Sequence, residues 1–450
     1  MDRPSGLLTD LYELTMAAGY VQTGFDARAT FELFVRNLPE RRNYLVAAGL
    51  EQALEFLQGV RFGTQEIDFL KQHPAFGSVG RQFFEYLAAF RFTGDVWAMP
   101  EGTVFFPGEP VLRVTAPIAE AQIVETYLLA TINFQTMIAS KAARVVTAAR
   151  GRPVIEFGTR RAHGMESGVL AARAAFIGGC QGTSNVEAGR RFGMATYGTQ
   201  AHSWIMAHED EEQAFRQFLE IFPEHAILLV DTYDVRAAVG KILSLGRKPR
   251  GVRLDSGDLA ADSRWVRKRL DEAGWNDVQV FASGDLDEDR ITSLLEQGAE
   301  IGGFGVGTSL ATSNDAPALG VIYKLVELER GGQVRSAAKF SEAKVTYPGR
   351  KQVLRRSGAD GTYSEDVIAL EEETTAGAEA LLVQAMRGGK PLGQATDLNE
   401  TRERCLENVA RLPEGVRSLA KAAGYPVRYS RKLEELMKRV RSRVEKVVRI

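Results

Sequence analysis

The sequence is poor in cysteine, has no long apolar run and carries no surplus of charge of either sign. Its two cysteines, Cys180 and Cys405, cannot make a Cys-only zinc site and need not form a disulfide, so a reducing compartment is expected. No apolar stretch reaches the roughly 20 residues a spanning helix needs. The start, Met1-Asp2-Arg3-Pro4-Ser5-Gly6, holds no apolar signal core. A cytoplasmic protein with no membrane partner is the expectation. Lys and Arg number 56 against 58 Asp and Glu, a net charge of −2, so no global basic field draws nucleic acid. Gly-Lys-Ser/Thr never follows a suitable glycine, which excludes a P-loop. The five histidines, His73, His163, His202, His208 and His225, show no metal-ligand spacing beyond the loose pair 202 and 208. Low-complexity tracts are absent. What remains is ordinary globular composition, 44% hydrophobic and 25% charged, in a length that suits two or three domains.

Residues 9–20 predict a first helix, with Thr9 or Asp10 as cap. Residues 29–36 alternate as a strand, residues 44–57 read as a helix, and residues 90–113 as a meander broken by Pro100-Glu101-Gly102 and Pro107-Gly108-Glu109-Pro110. Residues 118–149 predict a long helical stretch broken once. From Pro153 short apolar runs alternate with helical stretches, at 154–157, 194–197, 226–230, 251–254, 278–282 and 301–306. The last four start roughly 25 residues apart, the rhythm of β-α units around a parallel sheet, wound as a barrel or doubly wound. After Leu328 the rhythm stops. Short strands are predicted at 335–340, 344–347, 351–356 and 366–369, and these join the 90–113 meander in one β-rich domain. Residues 428–450 form a basic amphipathic helix, read as docked on the protein with a solvated basic face.

Polar chemistry gathers where the apolar runs end. The stretch Gly251-Val252-Arg253-Leu254-Asp255-Ser256-Gly257-Asp258 reads as strand, tight turn and helix start. Period-two alternation puts Arg253 and Asp255 on one side. Helix capping by Asp255 or Ser256 explains part of it equally well. The other runs leave into Glu156-Phe157-Gly158-Thr159-Arg160-Arg161, Gly182-Thr183-Ser184-Asn185, Gly198-Thr199-Gln200-Ala201-His202-Ser203, Asp231-Thr232-Tyr233-Asp234, Ser283-Gly284-Asp285 and Gly305-Val306-Gly307-Thr308-Ser309. Arg, His, Asp and Thr repeated at carboxyl ends of successive strands are what a barrel active site presents. The Gly302–Thr308 run offers backbone N–H groups and the Thr308 hydroxyl to a phosphate, though close strand–helix packing also uses such glycines. Asp231, Asp255, Asp258 and Asp285 are hard oxygen donors that suit Mg²⁺ rather than zinc.

Together these motifs, with Leu8-Thr9-Asp10-Leu11-Tyr12-Glu13-Leu14-Thr15-Met16 and Phe31-Glu32-Leu33-Phe34, resemble the nicotinate phosphoribosyltransferase family. The resemblance runs from about residue 6 to 325, and beyond residue 340 little is matched. It implies a type II phosphoribosyltransferase of the α/β class, with an irregular TIM-like α/β barrel and a β-rich second domain built from both chain ends. The corresponding segments are 1–116 (helical and β-rich), 117–328 (barrel), 329–400 (β-rich) and 401–450 (helical). The implied reaction joins nicotinate to phosphoribosyl pyrophosphate and releases pyrophosphate. Mg²⁺ is required and ATP is a co-substrate, coupled through a phosphohistidine that would be His202. By the same resemblance Arg253 and Thr199 lie against nicotinate, and Tyr12 of a partner subunit and Phe134 sandwich its ring. Arg160, Asp255, Ser256, Gly257, Gly284, Gly305, Gly307 and Thr308 hold the phosphoribosyl group. Asp255, with His202 and Arg253, belongs to the catalytic set, and Asp255 and Asp258 are the candidate metal ligands. A homodimer with shared sites follows. A nicotinamide-using relative, another phosphate-handling barrel and a non-catalytic nucleotide-binding protein are the competing readings. The absence of lysine from the strand-end motifs disfavours a Schiff-base aldolase.

Overall fold

The computed structural model describes residues 4–341, 345–393, 396–422 and 424–448. The chain divides into two compact units, Met1–Met137 with Ala318–Ile450, and Ile138–Pro317.

The first unit is organised on a seven-stranded antiparallel sheet in the order Gln333–Ser336, Val321–Arg330, Arg28–Val35, Pro110–Pro117, Asp95–Ala98, Val383–Arg387, Lys390–Pro391. Strands from both chain ends interleave, as expected for the β-rich part. Arg28–Val35 is rich in aromatic and β-branched residues and is buried on both faces, Glu32 included. A buried carboxylate needs a partner, and Lys351 Nζ supplies it at 2.7 Å. Val321–Arg330 pairs along the whole of Arg28–Val35. That pairing moves the unit boundary to Pro317/Ala318, where the sequence reading put it at 328. At the other side the boundary falls at Met137 rather than 116.

A second sheet orders Glu379–Ala380, Lys351–Ser357, Tyr363–Leu370 and Val427–Tyr429. The helix expected over 44–57 begins only at Leu50, because Leu45–Val46 pairs with Val104–Phe105. The stretch 118–149 breaks once, at Val124, between Ile118–Ile123 and Glu125–Ala148. The helices Thr64–Gln72 and Arg81–Ala89 were not expected. Of the strand expected at 344–347, residues 345–347 form none, and Lys344 lies outside the described residues. The C-terminal helix Arg431–Val448 buries Leu433, Met437 and Val440 and leaves its basic residues exposed. Residues 449 and 450 of that expected helix lie outside the described residues. Among the described residues no helix is long and apolar enough to cross a membrane.

The second unit carries a six-stranded parallel sheet in the order Gly182–Thr183, Val154–Glu156, Gly303–Val306, Gln279–Ala282, Gly251–Leu254, Ile227–Leu229. The last strand in sequence, Gly303–Val306, pairs with the first, Val154–Glu156. The strand expected at 194–197 is reduced to one bridge, Thr183 with Thr196. Helices follow the strands, among them Met165–Ile177, Val235–Ser244, Leu259–Glu272 and Glu288–Glu296. Inside this unit Glu288 is fully buried against Lys141 (2.5 Å) and Arg144 (3.0 Å), and Lys141 also meets Asp315 (2.9 Å). Burial alone would raise the Glu288 pKa, but the two cations outweigh it and hold the carboxyl below its usual range.

Candidate active site

Strand register assembles the site. Ala282 pairs with Leu254 and with Phe304, and Leu229 pairs with Arg253. The next residues out therefore stand side by side: Asp231, Asp255, Ser283 and Gly305. Of these, Asp255, Ser283 and Gly305 face a cavity of about 690 Å³ walled also by Phe157, Thr159, Arg160, Arg161, Thr199, Gln200, Asp285, Gly307 and Thr308.

Arg253 and Asp255 share one side of their strand end, as alternation predicts. Arg253 Nη1 donates to Asp255 Oδ1 (2.8 Å) and Ser283 Oγ (2.9 Å), and Nη2 donates to the Gln200 carbonyl (3.1 Å). The Ser283 hydroxyl donates to the same Asp255 oxygen. The Arg253 Nε–H is buried with no partner among the described residues. Burial lowers the guanidinium pKa, and the carboxylates of Asp255 and Asp231 pull it back; it stays charged at neutral pH. Asp231 Oδ2 accepts from the Asp255 N–H (2.9 Å) and the Ser256 hydroxyl (2.6 Å), which fixes the turn. Gly284 sits at φ 88°, and a Cβ there would collide with the Asp255 carbonyl oxygen. Asp285 beside it holds φ 47°, a left-handed backbone unusual for a non-glycine residue and frequent at functional sites.

The arginine-bearing turn Thr159–Arg161 hangs from a buried chain of hydrogen bonds. Glu156 accepts from Thr183 Oγ1 (2.6 Å) and from the Gly158 N–H; Thr183 Oγ1 accepts from the Asn185 N–H (2.9 Å); Asn185 Nδ2 donates to Thr159 Oγ1 (3.1 Å). Arg160 and Arg161 are left exposed on the cavity wall. With Arg253 they outnumber the wall's carboxylates, Asp255 and Asp285. The glycine run is partly a packing device, since a Cβ on Gly305 would lie 2.5 Å from the Phe157 ring.

His202 opens the short helix His202–Met206 beside the cavity. Its Nδ1 is 3.2 Å from Thr232 Oγ1, and its Nε2 is 3.8 Å from Asp255 Oδ2. Asp258 is placed elsewhere. Its Oδ1 accepts from the Ala261 N–H (3.0 Å) as the cap of Leu259–Glu272, and neither it, Ser256 nor Gly257 walls the cavity. Among the described residues no group of three or more His, Cys, Asp or Glu is placed to hold a metal ion. Tyr12 (exposed) and Phe134 (half-buried) belong to the first unit. Arg161, Gln200 and Ser283 stand in strand-end motifs of the sequence with no role expected of them, whereas Asp285 was expected only as an oxygen donor to a metal. Laying the strand ends in register would have picked out Ser283; nothing in the sequence marks Gln200.

Comparison with known proteins decides the family. A family model described as the nicotinate phosphoribosyltransferase (NAPRTase) family matches residues 153–362, its N-terminal domain model matches 7–133 and its C-terminal domain model 374–437.

The chain belongs to the nicotinate phosphoribosyltransferase family.

The match at 374–437 extends the resemblance past residue 340, where the motifs had run out. The Mycobacterium tuberculosis nicotinate phosphoribosyltransferase pncB2 is 45% identical over 443 residues, covering 97% of this chain and 94% of that protein. The Bacillus subtilis nicotinate phosphoribosyltransferase is 43% identical over 383 residues, covering 83% and 77%. The crystal structure of human nicotinic acid phosphoribosyltransferase superposes with a TM-score of 0.84 at 28% identity, over 96% of this chain and 99% of that one.

Proposed function

We propose that this family member joins nicotinate to phosphoribosyl pyrophosphate, giving nicotinate mononucleotide and pyrophosphate. The observation that supports it most is the state of Arg253. Three of its five N–H donors are engaged, with Asp255, Ser283 and the Gln200 carbonyl. The Nε–H and one Nη2–H remain, the edge on which a planar aromatic carboxylate makes two parallel bonds. Nicotinamide offers that edge one acceptor and no charge. Thr199 stands next to it on the wall. Arg160 and Arg161 supply positive charge for the phosphates, with Gly284, Gly305, Gly307 and Thr308 at the neighbouring strand ends.

In the reaction the pyridine nitrogen bonds to the anomeric carbon while the carbon–oxygen bond to pyrophosphate breaks, its electron pair leaving with pyrophosphate. Asp255, held by Arg253 and Ser283, is the carboxylate set against the positive charge that grows on the ribosyl ring. Mg²⁺, when bound, neutralises pyrophosphate and needs only one or two carboxylates besides phosphate oxygens. Asp255 and Asp285 on the wall fit that need, and Asp258, used as a cap, does not. His202 is the proposed phosphoryl acceptor from ATP: its Nε2 takes the γ-phosphoryl group and ADP leaves. The new dianion beside Asp255 alters the Asp255–Arg253 pairing, which would couple ATP to substrate affinity. The pairing of the first strand with the last supports an irregular barrel for the second unit. The ring platforms Tyr12, from a second copy of the chain, and Phe134 rest on the family resemblance alone.

The test is an assay of nucleotide and pyrophosphate formation from phosphoribosyl pyrophosphate with nicotinate or nicotinamide, with and without ATP. Turnover of nicotinate in large preference, stimulated by ATP, is expected. Equal or better turnover of nicotinamide overturns the substrate assignment. Absent ATP stimulation overturns the coupling.

A further inference from the structure

Gln200 carries an amide that none of the described residues uses. The residue is 4% exposed, and both its Nε2 and its Oε1 are buried without a hydrogen-bond partner. Its backbone is fixed, since the carbonyl accepts from Arg253 Nη2 (3.1 Å) and from the Thr199 hydroxyl (3.0 Å). Gln200 also walls the cavity beside Arg253, Ser283 and Asp285. A buried amide left unpaired is costly, and natural proteins keep one chiefly where something else completes it. Glutamine has rotatable side-chain dihedrals in staggered wells, so its amide reaches a ligand by changing rotamer while the backbone stays locked.

The partner must offer both a donor and an acceptor, because both ends of the amide are unpaired. Nicotinate at neutral pH is acceptor-only, through its carboxylate and ring nitrogen. Pyrophosphate and phosphate are acceptors too. Ribose hydroxyls alone, among the parts of the two substrates, both donate and accept. We infer that Gln200 is a specificity-determining residue that reads the ribose hydroxyls of the phosphoribosyl donor, its Oε1 accepting from a hydroxyl and its Nε2 donating to a hydroxyl or a neighbouring pyrophosphate oxygen. This rests on the activity proposed above and assigns that site a recognition element for the sugar.

The test uses Gln200→Leu, which keeps the volume and removes the amide. A structural role for the amide and a reserved one predict opposite results. If the amide is reserved for ligand, the ligand-free variant melts at or above the wild-type temperature, because an unpaired buried polar group has been replaced by an apolar one. Its KM for phosphoribosyl pyrophosphate rises tenfold or more, and its KM for nicotinate changes less than twofold. Direct binding of ribose 5-phosphate and 2-deoxyribose 5-phosphate, by calorimetry, gives a readout apart from turnover: wild type prefers the ribose form and the variant loses that preference. An unchanged KM for the phosphoribosyl donor, a parallel rise for nicotinate, or a lower melting temperature with retained sugar preference overturns the inference. Wild-type protein inactive on nicotinate, yet preferring ribose 5-phosphate in a Gln200-dependent way, would sink the proposed reaction and leave the sugar reading standing.

Discussion

Arg253 answers to two sets of partners, and that doubleness sets what its mutants should do. Asp255 and Ser283 orient it, and its Nε edge is kept free. Hydrogen bonds to a charged group contribute about 1.5–3 kcal/mol, so Arg253→Ala should raise the nicotinate KM by roughly 10- to 100-fold. Arg253→Lys should recover little of this, because a lysine is a point charge and lacks the fork; a wild-type KM in either variant sinks the carboxylate pairing. His202 is a separate case. It is partly exposed, and among the described residues its hydrogen bond is to Thr232, so His202→Ala should fold normally and lose both ATP stimulation and the acid-labile phosphoryl label from γ-labelled ATP. Persistence of the label after the substitution would assign it to another residue.

At the level of elements, the strand-end turns repeat one plan. In Asp231–Asp234 and Asp255–Asp258 the first aspartate works at the strand ends and the second caps the next helix: Asp234 accepts from the Ala237 N–H (2.8 Å) and Asp258 from the Ala261 N–H (3.0 Å). Asp287 caps Glu288–Glu296 in the same way, two residues after the cavity-facing Asp285. Hence Asp258→Ala should cost about 1 kcal/mol of stability, read by denaturant unfolding, with Mg²⁺ dependence unchanged. A shifted Mg²⁺ requirement would return Asp258 to the metal. Gly284→Ala should destabilise by more than about 1 kcal/mol and lower kcat, since the added carbon displaces Asp255. The β-α rhythm, the turn at 251–258 and the clustering of polar strand ends were legible from residue order, because period and turn chemistry are local. The pairing of Val321–Arg330 with Arg28–Val35 was not, since nothing local tells a strand which partner lies some three hundred residues away. The division of labour between Asp255 and Asp258 was equally hidden, because both read as carboxylates until the helix start is placed to the residue.

For the molecule as a whole, several carboxyls are raised by burial. Glu13 is pushed up from 4.5 to about 7, first by burial and then by neighbours that include Glu125, although the Thr126 hydroxyl donates to it at 2.7 Å. Glu120, Glu125, Glu156 and Glu211 are raised for the same first cause. A carboxyl whose pKa is higher folded than unfolded binds more protons when folded. Its contribution is therefore fully present below about pH 4.5 and is lost as pH rises through about 7. The melting temperature should fall between pH 5 and 8, and Glu13→Gln should flatten that fall; calorimetry at several pH values checks it, and an identical slope in the variant would remove Glu13 as a source.

The interleaving of both chain ends in the antiparallel sheet also governs the order of events during synthesis. Arg28–Val35 can meet Pro110–Pro117 early, but its other edge waits for Val321–Arg330. Ile138–Pro317 is one continuous stretch of chain and can close on itself in the meantime. Throughout that interval a nascent chain presents an open, apolar strand edge, a template for a neighbouring polypeptide on the same messenger. Yield in the cell should then depend on how fast the ribosome covers those intervening residues and on what shields that edge until it does.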